Sequence, residues 1–270
     1  MRRFLQILGI ILAVLAVAIA GLVGWVAFEV NSGAAASDLT NITIPAGDQT
    51  LYAYLAQPEG EGTFPAVLMV HEWWGLRPDM LEKADRLAEQ GYVVLAVDAY
   101  RNFATDAFPA ALYQAINYPQ ANIDADMRAF YDYLVTLPNV DVNRIGVMGF
   151  CFGGRQSVQF AAQNPGAVQA VLTYYGGSQI RDVEGLRPLT ANNPSVLAIF
   201  GAEDDSIPVE DRDAFTSALA TLGVPYESEV YAGVGHAFVK DLDAPGASSE
   251  AWVRGVDFLG RVLVSEPTNG

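Results

Sequence analysis

Short apolar runs alternate along most of this chain with stretches whose apolar residues recur at helical spacing. Pro65–Val70 (PAVLMV), Tyr92–Val97, Arg144–Met148, Val168–Thr173 and Val196–Phe200 have the length and composition of strands, and Tyr226–Tyr231 closes the series. Strands that are apolar on both sides of the pleat are buried on both faces. Between them lie helical stripes: Met80, Leu81, Ala84, Leu87 and Ala88, then Ile123, Met127, Phe130, Tyr131 and Leu134. Phe215, Ala218, Leu219 and Leu222 give another stripe, and Trp252, Val256, Leu259 and Leu263 the closing one. A further helix is expected from about Gly153 to Asn164. Thr40–Ile44 and Leu51–Gln57 read as opening strands joined by a turn at Ala46-Gly47-Asp48. This alternation predicts an α/β domain with a mostly parallel sheet and helices on both faces. Ligands in such sheets bind beyond the carboxyl ends of the strands. The residues to weigh are therefore His71–Trp74, Asp98–Arg101, Cys151, Tyr174-Tyr175, Asp204 and His236.

One segment does not fit that pattern. The chain has a mean hydropathy of +0.22 although its net charge is −16. Much of the hydrophobicity sits in Phe4–Phe28, which contains no charge and has Gln6 as its one strongly polar residue. A helix of that length rises about 1.5 Å per residue and can cross a bilayer core about 30 Å thick. Arg2 and Arg3 precede it, and no Lys or Arg follows until Arg77. The positive-inside rule then places the N-terminus in the cytoplasm and the rest of the chain outside. Residues 1–37 are read as a transmembrane anchor and short tether, and residues 38–270 as the α/β domain. The rival is a secretory signal peptide cleaved near Ala36, in the run Ala34-Ala35-Ala36; its apolar core would be longer than the usual ~7–15 residues.

Composition narrows the function. A strongly acidic chain lacks the positive footprint that phosphate backbones require, so no nucleic-acid partner is expected. One cysteine and two histidines rule out an internal disulfide and a thiolate-rich or His-rich metal site.

That cysteine lies in Gly149-Phe150-Cys151-Phe152-Gly153-Gly154, between a predicted strand and a predicted helix. The pattern is a nucleophile elbow with Cys in place of the commoner Ser; the tight turn needs glycine two residues either side. The helix N-terminus that follows favours a thiolate. Asp204, in Gly201-Ala202-Glu203-Asp204-Asp205-Ser206, follows the next-to-last strand, where an acid can orient a histidine. His236, in Gly233-Val234-Gly235-His236-Ala237-Phe238, follows the last strand and can act as general base; His71 is its one competitor. Nucleophile, acid and histidine stand in the chain order of the α/β-hydrolase fold.

With these residues in view, the sequence resembles the dienelactone hydrolase family of α/β-hydrolases, over roughly Leu51 to Leu263. The resemblance rests on GFCFGG, HEWWGL, EQGYVVLAVDAYR, GAEDDSIP and GHAF. It implies a Cys151–His236–Asp204 triad, with Glu72 taking part in activating the cysteine. It places the oxyanion hole at the backbone amides of Trp73 and Phe152. It implies substrate-anion contacts near Arg101 and at Lys240, the latter where the family has arginine. Trp74 and Tyr100 are expected at the substrate, in an aromatic pocket shared with Trp73, Phe152, Tyr174 and Phe238. The implied activity is hydrolysis of an ester or lactone through a thioester acyl-enzyme, with no metal or organic cofactor. A thioesterase or peptidase-like acyl hydrolase on the same residues, and a non-catalytic thiol sensor, are the alternatives.

Overall fold

The computed structural model describes residues 1–32, 35–177 and 180–264. Ala34 of the candidate cleavage site and the last six residues of the expected domain lie outside these.

Eight strands form one sheet: β1 (Ile42–Ala46), β2 (Gln49–Ala56), β3 (Phe64–Val70), β4 (Val93–Val97), β5 (Val140–Phe150), β6 (Ala170–Tyr174), β7 (Ser195–Gly201) and β8 (Tyr226–Tyr231). Their order is β1-β2-β4-β3-β5-β6-β7-β8. The hairpin β1–β2 and the β2–β4 pair are antiparallel, and every pairing from β4 to β8 is parallel. All residues of β4 and β6 are buried, which is why they read as unbroken apolar runs. The sheet is the mostly parallel one that the strand pattern predicted, in the α/β-hydrolase arrangement that the resemblance implied.

Helices cover both faces. On one side α4 (Gln120–Leu134) and α5 (Phe152–Gln163) are joined by the Gln120–Gln156 side-chain hydrogen bond. On the other lie α2 (Pro78–Ala88) and α8 (Ala247–Leu259). There Lys83 of α2 stands 5.4 Å from the ring of Phe150, and that ring stacks on Tyr174, whose hydroxyl donates to the Ala251 carbonyl. Helix α7 (Val209–Leu222) ends at Gly223 in the left-handed conformation, a glycine C-cap.

Two helices stand apart. α1 (Arg2–Ser32) contains the apolar N-terminal segment; its apolar window is wholly unburied, and it touches the domain only through its last turns. It is long and apolar enough to cross a membrane. α3 (Phe108–Asn117) lies against those last turns. The apolar spacing of the sequence does not announce α3, because its buried positions are Ala110, Ala111 and Gln114 while its large side chains face outward.

Candidate active site

Six loops follow the carboxyl ends of the parallel strands β3 to β8. β5 stops at Phe150, and Cys151 takes φ 53° and ψ −113° before α5 begins at Phe152. A non-glycine residue at positive φ is strained, and strain of this kind marks a functional turn. The flanking glycines are a steric requirement. A Cβ on Gly149 would stand 2.2 Å from the Gly153 carbonyl oxygen, and one on Gly153 would stand 2.2 Å from that of Val70. The second contact seats the start of α5 against the end of β3. It thereby brings Phe152 close to the segment carrying Trp73. Phe152 opens α5, so its N–H has no carbonyl one turn earlier within the helix to bond.

The acid and the histidine form a continuous chain with the thiol. His236 Nε2 is 2.9 Å from Cys151 Sγ, and His236 Nδ1 is 2.7 Å from Asp204 Oδ2. The other oxygen of Asp204 accepts the N–H groups of Ser206 (2.8 Å) and Ile207 (3.1 Å), so the carboxylate cannot swing away. Burial opposes its charge, yet the bonds to His236 and the two amides outweigh this and hold its pKa below the usual carboxylate range. Burial also opposes a charged His236. The hydrogen bonds to Asp204 and Cys151 and their negative charges win, and its pKa is pushed up to about 10.

His71 does not compete. It is fully buried, its Nε2 accepts the Ala99 N–H at 3.0 Å, and its Nδ1–H then donates to the Glu72 carbonyl at 2.5 Å. Both nitrogens are engaged, and the ring holds the β3 and β4 loops together.

Glu72 follows His71. Burial, then the charge of Asp79, raises its pKa, while Lys83, His236 and Lys240 partly offset that. Tyr175 lies beside it: burial first, and then the charge of Glu72, hold the pKa of the Tyr175 hydroxyl well above its ordinary range. Tyr175, one of the strand-end residues weighed from the sequence but given no role there, stands at this site. It sits at φ 39° just past β6, is buried, and meets the His236 ring edge-on at a centroid distance of 5.3 Å. A cavity of about 520 Å³ opens beside this group, lined by Glu72, Trp74, Arg77, Met80, Val239 and Lys240 among others. Glu72 forms part of its wall; Cys151 does not.

The sequence model of the dienelactone hydrolase family matches residues 51–263. The chain belongs to the dienelactone hydrolase family. It is 30% identical over 233 residues to a candidate carboxymethylenebutenolidase of Synechocystis sp., covering 79% of this chain and 92% of that protein. A candidate carboxymethylenebutenolidase of Methylorubrum extorquens is 31% identical over 214 residues, covering 74% and 72%. Among solved structures, a candidate dienelactone hydrolase of Klebsiella pneumoniae superposes with a TM-score of 0.70 at 26% identity, over 81% of this chain and 96% of that one. The protein is a hydrolase of the dienelactone hydrolase kind.

Against that family background, the remaining expected contacts divide. Lys240 is exposed and lines the cavity beside Glu72, as an anion contact would. Arg101 is committed elsewhere: its Nε and one terminal nitrogen grip Asp126 at 2.7 and 2.8 Å, and that carboxylate is buried. A fork already closed on a buried carboxylate is not offered to a substrate anion. Trp74 lines the cavity, whereas Trp73 packs edge-on against Trp74 and Phe108. Tyr100 is buried against His71 and Phe152 and is not part of the cavity lining. Tyr174 is likewise core. Its ring stacks on Phe150 at 4.6 Å, while Tyr175, just past the end of β6 and turned by its positive φ, meets the His236 ring. Phe238 packs on Tyr175 and Tyr231.

Proposed function

We propose that this protein cleaves a carboxylic ester or lactone with Cys151 as nucleophile, His236 as acid and base, and Asp204 as the group that orients and charges the histidine. The observation that carries this reading is the unbroken chain from Cys151 Sγ through both nitrogens of His236 to an Asp204 that is itself held by two amides. The raised pKa of His236 favours an imidazolium facing a thiolate at neutral pH.

The thiolate attacks the substrate carbonyl carbon, and the oxygen takes up the negative charge between the N–H groups of Phe152 and Trp73. The intermediate collapses to a thioester; the C–O bond breaks and His236 gives its proton to the departing alkoxide. His236, now neutral, takes a proton from water as that water attacks the thioester. Collapse releases the acid and restores the thiolate–imidazolium pair. Glu72, half-buried and close enough to interact with the charge of His236, contributes by keeping the proton on His236 while the thiolate waits for substrate. Lys240 receives an anionic part of the substrate as a point charge, without the bidentate fork of arginine.

Residues 4–28 hold this domain on a membrane as a single helix, with the N-terminus cytoplasmic and the domain outside. The length and apolarity of α1 and its lack of burial support that placement. A panel of soluble esters, lactones and thioesters on the full chain, with Cys151→Ala as control, tests the chemistry. Turnover that survives in the variant would sink the nucleophile.

A further inference from the structure

α3 is built inside out for a helix on a soluble domain. Its buried side is Ala110, Ala111 and Gln114, while Phe108, Leu112, Tyr113 and Ile116 are 56%, 36%, 50% and 70% exposed. These four stand at i, i+4, i+5 and i+8, one face of a helix, and α3 contains no charged residue. A water-facing surface helix normally carries its polar and charged residues on that face.

The apolar face continues onto α1. A groove runs between the two helices, with Val23, Val26 and Val30 on one wall and Leu112, Tyr113 and Ile116 on the other. The joint is also fixed by polar contact: the Thr105 hydroxyl donates to Glu29 of α1 at 2.9 Å, and Val30 packs on the cluster of Tyr100, Phe103 and Ala110. Leu22 to Val30, the α1 residues along the groove, span about 12 Å at 1.5 Å per residue. That is close to the ~5–10 Å depth at which amphipathic helices lie in a membrane interface.

We propose that α3 is immersed in the outer membrane interface, its apolar face and the groove covered by lipid, so that the active-site mouth opens toward the bilayer and takes esters that partition into it. The inference rests on the anchor and hydrolase readings above. Lipid is the occupant the observations favour, because the exposed face of α3 is continuous with the bare apolar surface of α1. The domain's net charge gives it no attraction to anionic headgroups, which leaves apolar contact as the driving force. The path to the chemistry is short: Phe108, at the start of α3, meets Trp73 edge-on at 5.4 Å, and Trp73 carries one of the two oxyanion amides.

The test uses the full chain with Cys151→Ser, so that one introduced cysteine carries a polarity-sensitive dye, in phosphatidylcholine vesicles with or without nitroxide-labelled lipid. Val14→Cys reports α1, Ile116→Cys reports α3, and Val142→Cys, exposed at the start of β5, reports the far end of the sheet. The expected result is quenching and a blue-shifted emission at positions 14 and 116, with neither at 142. Quenching at 14 without 116 overturns the proposal while leaving the anchor intact; no quenching at either overturns both. In a chain with native Cys151, Leu112→Glu with Ile116→Glu should lower turnover of a long-chain ester in vesicles and spare a short soluble ester. Equal turnover of the two esters would overturn the substrate half.

Discussion

The thiol of Cys151 and the imidazole of His236 meet at 2.9 Å across 85 residues of sequence, and the sulfur helps to raise the pKa of the histidine. The first prediction follows from this pair. Cys151→Ser keeps a hydrogen-bonding group but replaces the sulfur by a hydroxyl that stays neutral, so the Cys151 charge, one of the causes that raise the His236 pKa from its usual 6.5 to about 10, is lost. In the Ser variant the imidazole should titrate closer to its ordinary value. Proton NMR of the ring, against pH, measures this; an unchanged titration would show that Asp204 alone sets it.

The same shift makes stability depend on pH. The folded state holds a proton on His236 between the unfolded value near 6.5 and the folded value near 10, so the stabilisation is complete below about pH 6.5 and is lost as pH approaches 10. The melting temperature should therefore fall over that window in the native protein, and fall less steeply in His236→Gln. His236→Gln should also cost roughly 10²–10⁴-fold in ester turnover, the usual worth of a general acid–base.

Glu72 is predicted to trade stability for activity. Burial, then the charge of Asp79, raises its pKa, so the ionised carboxylate disfavours the folded state above its ordinary titration range. Glu72→Gln keeps the shape and removes the charge. Its melting temperature at pH 7 should rise while kcat falls, and a parallel loss of both would place Glu72 in a purely structural role.

Arg101 and Lys240 should separate cleanly. Arg101→Ala leaves the buried carboxylate of Asp126 without its partner and should cost about 1–3 kcal/mol in urea unfolding with little effect on KM. Lys240→Ala should raise KM for anionic esters, leave neutral esters unaffected, and move the unfolding midpoint little, since Lys240 is exposed.

Gly149→Ala tests the elbow by steric means. The new methyl would meet the Gly153 carbonyl oxygen at 2.2 Å, backbone against backbone, with no flexible side chain to yield. Destabilisation of about 1–3 kcal/mol or more is expected from such overpacking, read from denaturant midpoints.

Much of this protein was legible before any coordinate. Buried parallel strands need apolar residues on both faces, so the strands appear as short apolar runs, and glycines bracketing Cys151 reveal a turn that nothing else fits. The apolar length of Phe4–Phe28, and the order Cys151, Asp204, His236, are equally properties of the string. What the string cannot carry is direction. Tyr174 and Tyr175 are adjacent and identical in kind, yet Tyr174 ends β6 against Phe150 while the backbone turn just past the strand brings Tyr175 to His236. Arg101 carries the charge of an anion site, but its fork is closed by Asp126, 25 residues away. α3 escaped notice because its apolar residues mark the outer face, opposite to the side that helical periodicity assumes. Local composition sets which elements form and which chemistry is at hand; the packing of distant segments decides which side chains face that chemistry, and which apolar surface is left uncovered.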